Sequence, residues 1–477
     1  MVHTWDRLHL GGEWVTPASS ERLEVRSPHD DHVVGSAPLG IAADVDRAVA
    51  AAKTAFDDGP WPRMSVADRC AALAPIVAAY GERLTEISTL ITAEMGSPYW
   101  FSNLGQANGP HFLMQQTVQF ATELEWEQRR GSSIVRRAPA GVVGIITPWN
   151  VPQVTILAKL FPALLAGCTA IVKPAPETPL DAMVLADLIA DADLPPGVAA
   201  VIPGGTDAGQ RLVTHPDVDK VAFTGSSAVG KWIAEQCGSR LARCSLELGG
   251  KSAAIVCEDA SVARTVEGLK FASFLNNGEA CVAQTRVLAP RARYDEIVDA
   301  FVAMTQGLVV GDPEDPDTYI GPMVSARHRE RVHSYLEVGL SEGATVAVGG
   351  PGAVEGLSGH YIRPTVFTNV RNDMRIAQEE IFGPVIAVIP YDGPADAVRL
   401  ANDSAYGLGG SVWTKDKAAG LEIARQVRTG TFGINSYAPG FEAPFGGFKS
   451  SGIGREYGPE ALEEFTELQS IYGVPEA

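Results

Sequence analysis

The chain has 477 residues, of which 45% are hydrophobic and 20% are charged, a composition typical of a folded protein with more than one domain. Its formal net charge of −19 argues against a nucleic-acid or anionic-membrane partner, because both require clustered lysine and arginine. The first residues lack the apolar run of a secretory signal, and the apolar stretch 154–171 is broken by Lys159, Pro162 and Gly167, so no membrane span is expected.

Short β-rich segments alternate with helical patterns from about residue 140 to residue 258. Strands are predicted at 142–146 and 168–174 and in AAVIPGG, VDKVAFTG and CSLELGG, and helices at 153–166, 179–191, 207–214 and 227–237. This alternation is typical of an open parallel sheet, in which ligands bind beyond the carboxyl ends of the strands. The turns PWN, KPAPET, PGG and TGSS fall at those ends, so the functional residues are expected there.

A second alternation runs from about residue 286 to residue 435 and predicts a second α/β domain. Strands are predicted near RVLAP, PVIAVIPY, SVWT and TFGIN, and helices near 293–307, 325–342, 394–402 and 417–428. Residues 118–139 have the polar, mixed-charge pattern of an exposed hairpin, and the tail after Gly458 ends in alternating apolar residues. Because unpaired β edges usually find a partner chain, we expect a homo-oligomer, either a dimer or a tetramer.

The cysteines are scattered without paired spacing, at positions 70, 168, 237, 244, 257 and 281. This distribution favours free thiols in a reducing compartment, so we expect a cytoplasmic protein. The sequence contains no CxxC motif and no HExxH or HxxxH pairing, so no metal site is predicted.

Two residues have the chemistry of a nucleophile and a base. Cys281 follows Asn-Asn-Gly in FLNNGEACVAQTR, and this sequence predicts a tight turn that projects the thiol into a cleft. Glu247 lies between leucines in LELGGKS, where desolvation would raise its pKa and make it a usable base near neutrality. The alternatives are a buried structural cysteine and an ordinary glutamate at a sheet edge.

Two further residues end predicted strands. Asn150, in ITPWN, carries an amide that would stabilise an oxyanion, and its alternative role is to cap a turn or helix. Lys173, in IVKPAPETP, would bind ribose hydroxyls or else form a solvated strand end.

The segment VAFTGSSAVGKW contains Gly225 and Gly230 at a strand-to-helix turn, where a cofactor's phosphates can approach the helix N-terminus. Its spacing nearly matches a nucleotide P-loop, but Trp232 stands where that motif needs a serine or threonine. Gly250-Lys251-Ser252 matches the end of a second P-loop motif, but Ser245 stands where the first glycine of that motif belongs. Both departures argue against a nucleoside triphosphatase.

Taken together and in this order, the motifs resemble those of the aldehyde dehydrogenase superfamily over nearly the whole chain. The matching segments are PWN (148–150), KPAPETP (173–179), FTGSSAVG (223–230), LELGGKS (246–252), FLNNGEAC (274–281), EEIFGPV (379–385) and PFGGFKSSGIGRE (444–456). The resemblance implies two Rossmann-like open-sheet α/β domains and a β-ribbon oligomerisation arm. It assigns residues 1–117 and 140–249 to an NAD(P)-binding domain, 250–449 to a catalytic domain, and 118–139 and 450–477 to the arm and tail.

The resemblance also implies a mechanism. Cys281 would attack the aldehyde, Asn150 and the Cys281 backbone N–H would hold the oxyanion, and Glu247 would activate the water that hydrolyses the resulting thioester. The residues expected to bind the cofactor are Trp149, Lys173, Gly225, Ser226, Glu380 and Phe382.

One position departs from the family pattern. Many NAD-preferring members carry a glutamate three residues after the motif lysine, where it binds the adenosine ribose, but this chain has Pro176 there and a glutamate at 177. The missing acid removes one barrier to a 2′-phosphate, but no arginine lies nearby to attract one. NAD is therefore the expected cofactor, with NADP as the alternative.

The substrate pocket is expected to be apolar. Val151, Thr155 and Ala158 occupy positions that are often aromatic or bulky in the family, and Ala280 and Val282 flank the nucleophile. The pocket entrance is predicted to be lined by Tyr437, Phe441 and Phe445. These side chains favour a hydrophobic or bulky aldehyde.

Three alternatives remain open at this stage. A CoA-acylating semialdehyde dehydrogenase would resolve the thioester with CoA, but that branch typically lacks the base that Glu247 provides. A cysteine hydrolase would need a histidine beside the thiol, and His215 and His328 are remote in sequence. A catalytically silent relative would not need Cys281, Glu247 and Asn150 all to be intact.

Overall fold

The computed structural model describes residues 3–474. Residues 1–2 of the predicted NAD(P)-binding domain and residues 475–477 of the predicted tail lie outside the described residues. In the N-terminal part, short strands are followed by helices whose buried apolar side chains, among them Leu73, Ile87 and Met114, join one large core cluster. The elements up to residue 123 are β1 (His3–Thr4), β2 (Leu8–Leu10), β3 (Glu13–Val15), β4 (Arg22–Arg26), β5 (Val33–Pro38), α1 (Ala42–Asp57), α2 (Val66–Glu82), α3 (Leu84–Met95), α4 (Tyr99–Phe101) and α5 (Gly109–Glu123), with a π-helical segment at Ser102–Asn108.

The next part of the chain has the predicted alternation of strands and helices. Helix α6 is buried almost all round, because it is enclosed by other parts of the protein rather than lying on its surface. The elements are β6 (Glu127–Arg130), β7 (Ser133–Pro139), β8 (Val142–Ile146), α6 (Pro152–Ala166), β9 (Thr169–Lys173), α7 (Leu180–Asp191), β10 (Ala199–Val201), α8 (Thr206–Thr214), β11 (Lys220–Thr224), α9 (Ser227–Ser239) and β12 (Arg243–Glu247).

The second alternation is also present. The strand predicted in TFGIN is short, and Asn435 directly after it has a left-handed backbone with φ +56° that ends it. The elements are β13 (Ala253–Val256), α10 (Val262–Phe274), β14 (Arg286–Pro290), α11 (Tyr294–Gln306), α12 (Ala326–Ser341), β15 (Thr345–Val348), β16 (Thr365–Thr368), α13 (Arg375–Gln378), β17 (Val385–Tyr391), α14 (Pro394–Asn402), β18 (Gly410–Trp413), α15 (Lys417–Gln426), β19 (Gly433–Ile434), β20 (Gly452–Ile453), α16 (Glu460–Glu463) and β21 (Thr466–Tyr472).

The first large sheet has eight strands in the order β20-β12-β11-β8-β9-β10-β2-β3. Strands β8 to β12 pair in parallel, and the strands beyond them pair antiparallel at both edges. The parallel strands end at the same edge of the sheet, so the turns that carry Asn150, Lys173, Gly225 and Glu247 lie along one edge.

The second large sheet has seven strands in the order β15-β16-β17-β14-β13-β18-β19, all parallel except the edge strand β15. The short segment Leu248–Ser252 joins β12 of the first sheet to β13 of the second. Glu247 therefore lies where the chain passes from one sheet to the other, and Cys281 lies in the loop that leads into β14.

A third sheet, which we call the arm sheet, consists of β6, β7 and β21 in the order β21-β7-β6. The tail strand β21 pairs antiparallel with β7, from Thr466 opposite Pro139 to Tyr472 opposite Ser133. The hairpin strands occupy residues 127–139, whereas residues 118–123 continue helix α5. The division of the chain into domains stays a prediction.

Candidate active site

Cys281 follows a left-handed turn at the end of helix α10. Asn276 and Asn277 have φ angles of +52° and +61°, a conformation that asparagine tolerates better than most residues. The Asn277 amide donates to two backbone carbonyls at 2.9 and 3.0 Å, and the Asn276 amide donates to the Asn150 carbonyl at 2.8 Å. The predicted tight turn is present, and buried side-chain hydrogen bonds fix it.

Asn150 lies beside this turn. Its side-chain Nδ2 donates to the backbone carbonyl of Glu279 at 2.9 Å, and the side chain is nearly buried. A primary amide has two N–H groups, and the second has no protein acceptor in the described part of the chain. The end of strand β8 is thus tied to the turn that carries the thiol, with one donor left for a ligand.

The backbone around Cys281 is closely packed. A Cβ built on Gly250 would lie 2.3 Å from the Cys281 carbonyl oxygen, so the second glycine of LELGGKS is required sterically. Burial, and to a smaller extent the nearby carboxylates of Glu380, Glu247 and Glu456, raises the pKa of the Cys281 thiol to about 12. The resting thiol is therefore neutral at pH 7, and its reaction requires a proton acceptor.

Glu247 provides a buried carboxyl group at this site. The side chain is only 5% exposed, and neither of its carboxyl oxygens has a hydrogen-bond partner among residues 3–474. Burial and, after it, the neighbouring Glu456 carboxylate raise the pKa of Glu247 well above its ordinary value. The predicted desolvation is present, and a carboxyl group with such a pKa is suited to proton transfer near neutrality.

Two charged residues near Glu247 were not assigned to the site from the sequence. Lys159 forms an ion pair with Glu456, and its Nζ donates to Thr224 Oγ1 at 2.5 Å. Both side chains of the pair are buried, and the positive charge of Lys159 opposes the rise in the pKa of Glu247. The available signals were a lone lysine in the apolar run of α6 and the position of Glu456 at the end of GIGRE.

Lys173, Gly225 and Ser226 lie at the ends of β9 and β11. Lys173 Nζ donates to two backbone carbonyls at 2.7 and 2.8 Å, and burial lowers its pKa to about 8. Ser226 caps α9 by accepting a hydrogen bond from Val229 N at 3.4 Å. A Cβ on Gly225 would lie 2.4 Å from the ring of Phe223, so this turn needs glycine. The N-terminus of α9 thus follows a turn of small residues, as an anion-binding site requires.

Trp149, His328 and Phe382 form a cluster of rings at the same edge. The Trp149 ring centroid lies 5.1 Å from His328 and 5.5 Å from Phe382, and His328 Nε2 donates to the Phe382 carbonyl at 2.7 Å. Burial lowers the pKa of His328 to about 4, so its ring is neutral at pH 7. Nearby, Glu380 accepts from Gly250 N at 2.9 Å, and burial raises its pKa to about 7.

The thiol of Cys281 packs against an apolar cluster that we call the aldehyde-side cluster. It comprises Leu113, Val154, Ala158, Val282, Leu408, Phe441, Phe445 and Tyr457. Of the predicted pocket residues, Ala158, Val282, Phe441 and Phe445 lie in this cluster. Val151 and Ala280 lie in a neighbouring cluster around Phe101, to which Val282 also belongs.

The structure also positions two residues that were predicted for the pocket, Thr155 and Tyr437, and one that was not, Tyr457. Thr155 is buried on helix α6, and its hydroxyl donates to the Val151 and Pro152 carbonyls at 3.1 and 3.0 Å. Tyr437 is buried and shares a hydrogen bond of 2.8 Å with the Thr431 hydroxyl. Tyr457 was missed, since nothing in its local sequence connects it with the pocket.

Within residues 3–474, no three histidine, cysteine, aspartate or glutamate side chains are grouped so as to hold a metal ion. No helix in this part of the chain is both long and apolar enough to cross a bilayer. All six cysteines are free thiols.

Residues 14–471 match the model of the aldehyde dehydrogenase family. The geranial dehydrogenase of Castellaniella defragrans is 44% identical over 98% of this chain and 99% of its own length, and the 3-succinoylsemialdehyde-pyridine dehydrogenase of a Pseudomonas species is 40% identical over 99% of each.

Two solved structures are also similar. The aldehyde dehydrogenase of Mycobacterium tuberculosis, complexed with NAD+, superposes with a TM-score of 0.97 at 49% identity and covers 99% of each chain. A mutant of aldehyde dehydrogenase C from Pseudomonas syringae, in complex with NAD+ and octanal, superposes with a TM-score of 0.95 at 38% identity, covering 99% of this chain and 97% of its own.

The chain therefore belongs to the aldehyde dehydrogenase family. It is an oxidoreductase that acts on the aldehyde group, and the family, fold class and enzyme class predicted from the sequence are confirmed.

Proposed function

We propose that this enzyme oxidises an apolar aldehyde to its carboxylic acid, with NAD as the oxidant, through a thioester on Cys281 that is hydrolysed by water activated by Glu247. The observation that carries the mechanism is the buried carboxyl group of Glu247, whose oxygens have no hydrogen-bond partner in the described chain and whose charge acts on the Cys281 thiol. A structural carboxyl group would be expected to have a partner.

In the first step, Cys281 Sγ forms a bond to the aldehyde carbon and loses its proton. Because burial raises the thiol pKa to about 12, a proton acceptor must take this proton as the bond forms, and a water molecule passes it to solvent. The carbonyl oxygen becomes an oxyanion, which the free Asn150 N–H and the Cys281 backbone N–H stabilise.

The residues at the sheet edge fit a dinucleotide. Lys173 would bind ribose hydroxyls, the turn at Gly225 and Ser226 would face the pyrophosphate, and Glu380, Phe382 and Trp149 would position the nicotinamide end. The buried Lys173 ammonium, the sterically required Gly225 and the capped helix α9 support this assignment. NAD bound there supplies the hydride acceptor, and both solved structures described above contain NAD+.

Glu247 acts when the thioester is hydrolysed. It accepts a proton from water while the water oxygen bonds to the acyl carbon. The C–S bond then breaks, Cys281 leaves as a thiolate that takes the proton from Glu247, and the carboxylic acid is released. The ion pair of Lys159 and Glu456 lies close enough to influence the charge of Glu247 during this proton transfer.

The substrate proposal rests on the side chains around the thiol. The aldehyde-side cluster consists of aliphatic and aromatic residues, so the free energy of binding comes mainly from burial of apolar surface. Geranial and octanal, named with two of the relatives, are aldehydes of this kind. We therefore assign a medium-length, aromatic or terpenoid aldehyde to this site.

The assembly and location of the enzyme follow from other features. The arm sheet presents exposed apolar side chains on β21, among them Leu468 and Tyr472, and we propose that it joins copies of this chain into a dimer or tetramer. The free cysteines suit the reducing cytoplasm. The domain division predicted above is part of the same proposal.

A cysteine hydrolase is disfavoured by the positions of the two histidines. His328 donates to the Phe382 carbonyl, and His215 bonds to the backbone N–H of Asp217. Neither has a hydrogen bond or ion pair with Cys281 in residues 3–474. A CoA-acylating reaction is disfavoured by Glu247, which would have no role if CoA resolved the thioester.

The deciding experiment measures NADH and NADPH formation over a panel of aldehydes, with and without CoA. Octanal, citral, benzaldehyde and succinate semialdehyde are suitable members. We expect kcat/KM to be highest for the apolar aldehydes, with free acid as the product and no stimulation by CoA. Comparable kcat/KM for succinate semialdehyde would refute the apolar assignment, and an acyl-CoA product would refute the hydrolytic one.

A further inference from the structure

Tyr457 follows directly after the GIGRE segment and lies in the aldehyde-side cluster. Its ring centroid is 4.9 Å from that of Phe441, at an interplanar angle of 88°, and 5.2 Å from that of Phe445, at 39°. Tyr457 thus contacts both aromatic residues of the predicted pocket and joins them into a single wall of rings.

The backbone holds this ring firmly in place. Glu456 and Phe445 exchange two backbone hydrogen bonds of 2.6 and 2.7 Å, and Gly458 N donates to the Phe441 carbonyl at 3.0 Å. The residues on either side of Tyr457 are therefore bonded to the two phenylalanines that its ring contacts. Its φ of +61° lies in the left-handed region that non-glycine residues rarely adopt, so the surrounding contacts define this conformation.

Apart from Phe441, Phe445 and the thiol itself, the other members of the cluster have aliphatic side chains. They include Val154 and Ala158 on α6 and Leu113 on α5. Ala158 has the smallest side chain of the cluster, so helix α6 contributes little bulk beside the thiol. The bulk beside the thiol comes instead from the C-terminal segment, through Tyr457.

We propose that Tyr457 sets the width of the aldehyde pocket and thereby selects flat aldehydes, unsaturated or aromatic, over thicker saturated rings and branched chains. The inference rests on the proposed function, because it takes Cys281 as the reacting thiol. Aromatic side chains rotate about only two χ angles, and contacts with Phe441 and Phe445 restrict Tyr457 further. A planar substrate fits between this ring wall and the short side chains of α6, whereas a puckered ring requires a wider space.

The test compares benzaldehyde with cyclohexanecarbaldehyde, two aldehydes with six-membered rings, one flat and one puckered. The ratio of their kcat/KM values is measured in wild-type enzyme and in Y457A, Y457L and Y457F. Dividing the ratio of each variant by the ratio of the wild type cancels the difference in intrinsic reactivity between the two aldehydes. We expect Y457A and Y457L to shift the ratio at least about fivefold towards cyclohexanecarbaldehyde, mainly through KM, and Y457F to leave it unchanged because the ring stays.

Phe112 provides a matched control. Its ring packs 6.2 Å from Phe441 but is 43% exposed and lies outside the aldehyde-side cluster, so F112A is expected to keep the wild-type ratio. Melting temperatures identify the variants that fold, and Y457L preserves more apolar volume should Y457A fail to fold. A shift below about fivefold in the folded variants, or an equal shift in F112A, overturns the role of Tyr457. The proposed function fails separately, if wild-type enzyme does not prefer apolar aldehydes in the panel described above.

Discussion

The Cys281 thiol lies in surroundings that oppose its ionisation until a base acts on it. Burial, and to a smaller extent three nearby carboxyl groups, raises its pKa to about 12. A serine hydroxyl is a far weaker nucleophile in the same position. We predict that C281S lowers kcat by on the order of 10³ or more, with NADH formation followed at 340 nm as the measurement.

The matched control for this prediction is C257S. Cys257 is also a half-buried thiol, but it packs against a different core cluster. We expect C257S to keep near wild-type turnover and both variants to melt within a few degrees of the wild type. Substantial turnover by C281S would remove Cys281 from the mechanism.

Glu247 sets the expected dependence of turnover on pH. It acts as a base only when ionised, and burial raises its pKa well above the ordinary value of glutamate. Turnover limited by thioester hydrolysis should therefore increase with pH through this raised pKa and then level off. In E247Q this increase should disappear, and about one NADH per active site should form in a burst before a slow steady state.

A rapid-mixing experiment at several pH values separates these outcomes. Asp181, a buried acid outside the site, provides the matched variant D181N, for which no burst is expected. If E247Q turned over steadily at the wild-type rate, another group would have to activate the water.

The loop after strand β9 determines how the adenosine end of the cofactor is recognised. Pro176 and Glu177 are exposed there, beyond the buried Lys173. A carboxylate at position 176 would repel a 2′-phosphate and accept hydrogen bonds from ribose hydroxyls. We predict that P176E raises the ratio of kcat/KM for NAD to that for NADP by about tenfold.

The control for this loop is P176A, which removes the proline without adding charge. It is expected to leave the cofactor ratio within about threefold of the wild type, so that an increase in P176E alone is attributable to the carboxylate. An equal increase in both variants would instead point to loop flexibility.

Much of the fold could be predicted at the level of elements. Strands β8 and β14 coincide with their predicted segments, because alternating runs of apolar strands and amphipathic helices with Gly or Pro turns have few other solutions. The hairpin was predicted to begin at residue 118, but α5 continues to Glu123. The polar pattern that indicated the hairpin begins within the last exposed turns of this helix. Polar periodicity alone does not distinguish an exposed helix end from an exposed strand.

The site was predictable where a motif carries the chemistry in consecutive residues, as around Cys281 and Glu247. It was not predictable where distant segments meet. Lys159 and Glu456 are 297 residues apart in the sequence, and their ion pair exists because β20 returns the C-terminal segment to the first sheet beside β12. The place of Tyr457 in the cluster could not be predicted for the same reason, because its contacts depend on tertiary pairing with Phe441 and Phe445.

At the scale of the whole molecule, the arm sheet is the feature that a single chain leaves incomplete. It has only three strands, and its outer strand β21 exposes Leu468 by 64% and Tyr472 by 80%. These two side chains lie four residues apart on one face of the strand. An exposed apolar strand at a sheet edge normally associates with another chain.

We predict that L468D combined with Y472D reduces the assembly size of the enzyme. Two carboxylates on this face would be desolvated and would repel their counterparts in an interface between copies, whereas in a free arm they remain hydrated. Light scattering after size exclusion should show wild-type particles at a multiple of 50.5 kDa and smaller particles for the double variant.

The variant L421D places the same charge on exposed apolar surface of α15 and should keep the wild-type mass. A monomeric wild type, or an unchanged mass in the double variant, would contradict assembly through the arm. Because the motifs of the site come from one chain, turnover per subunit should fall by a smaller factor than the particle mass does.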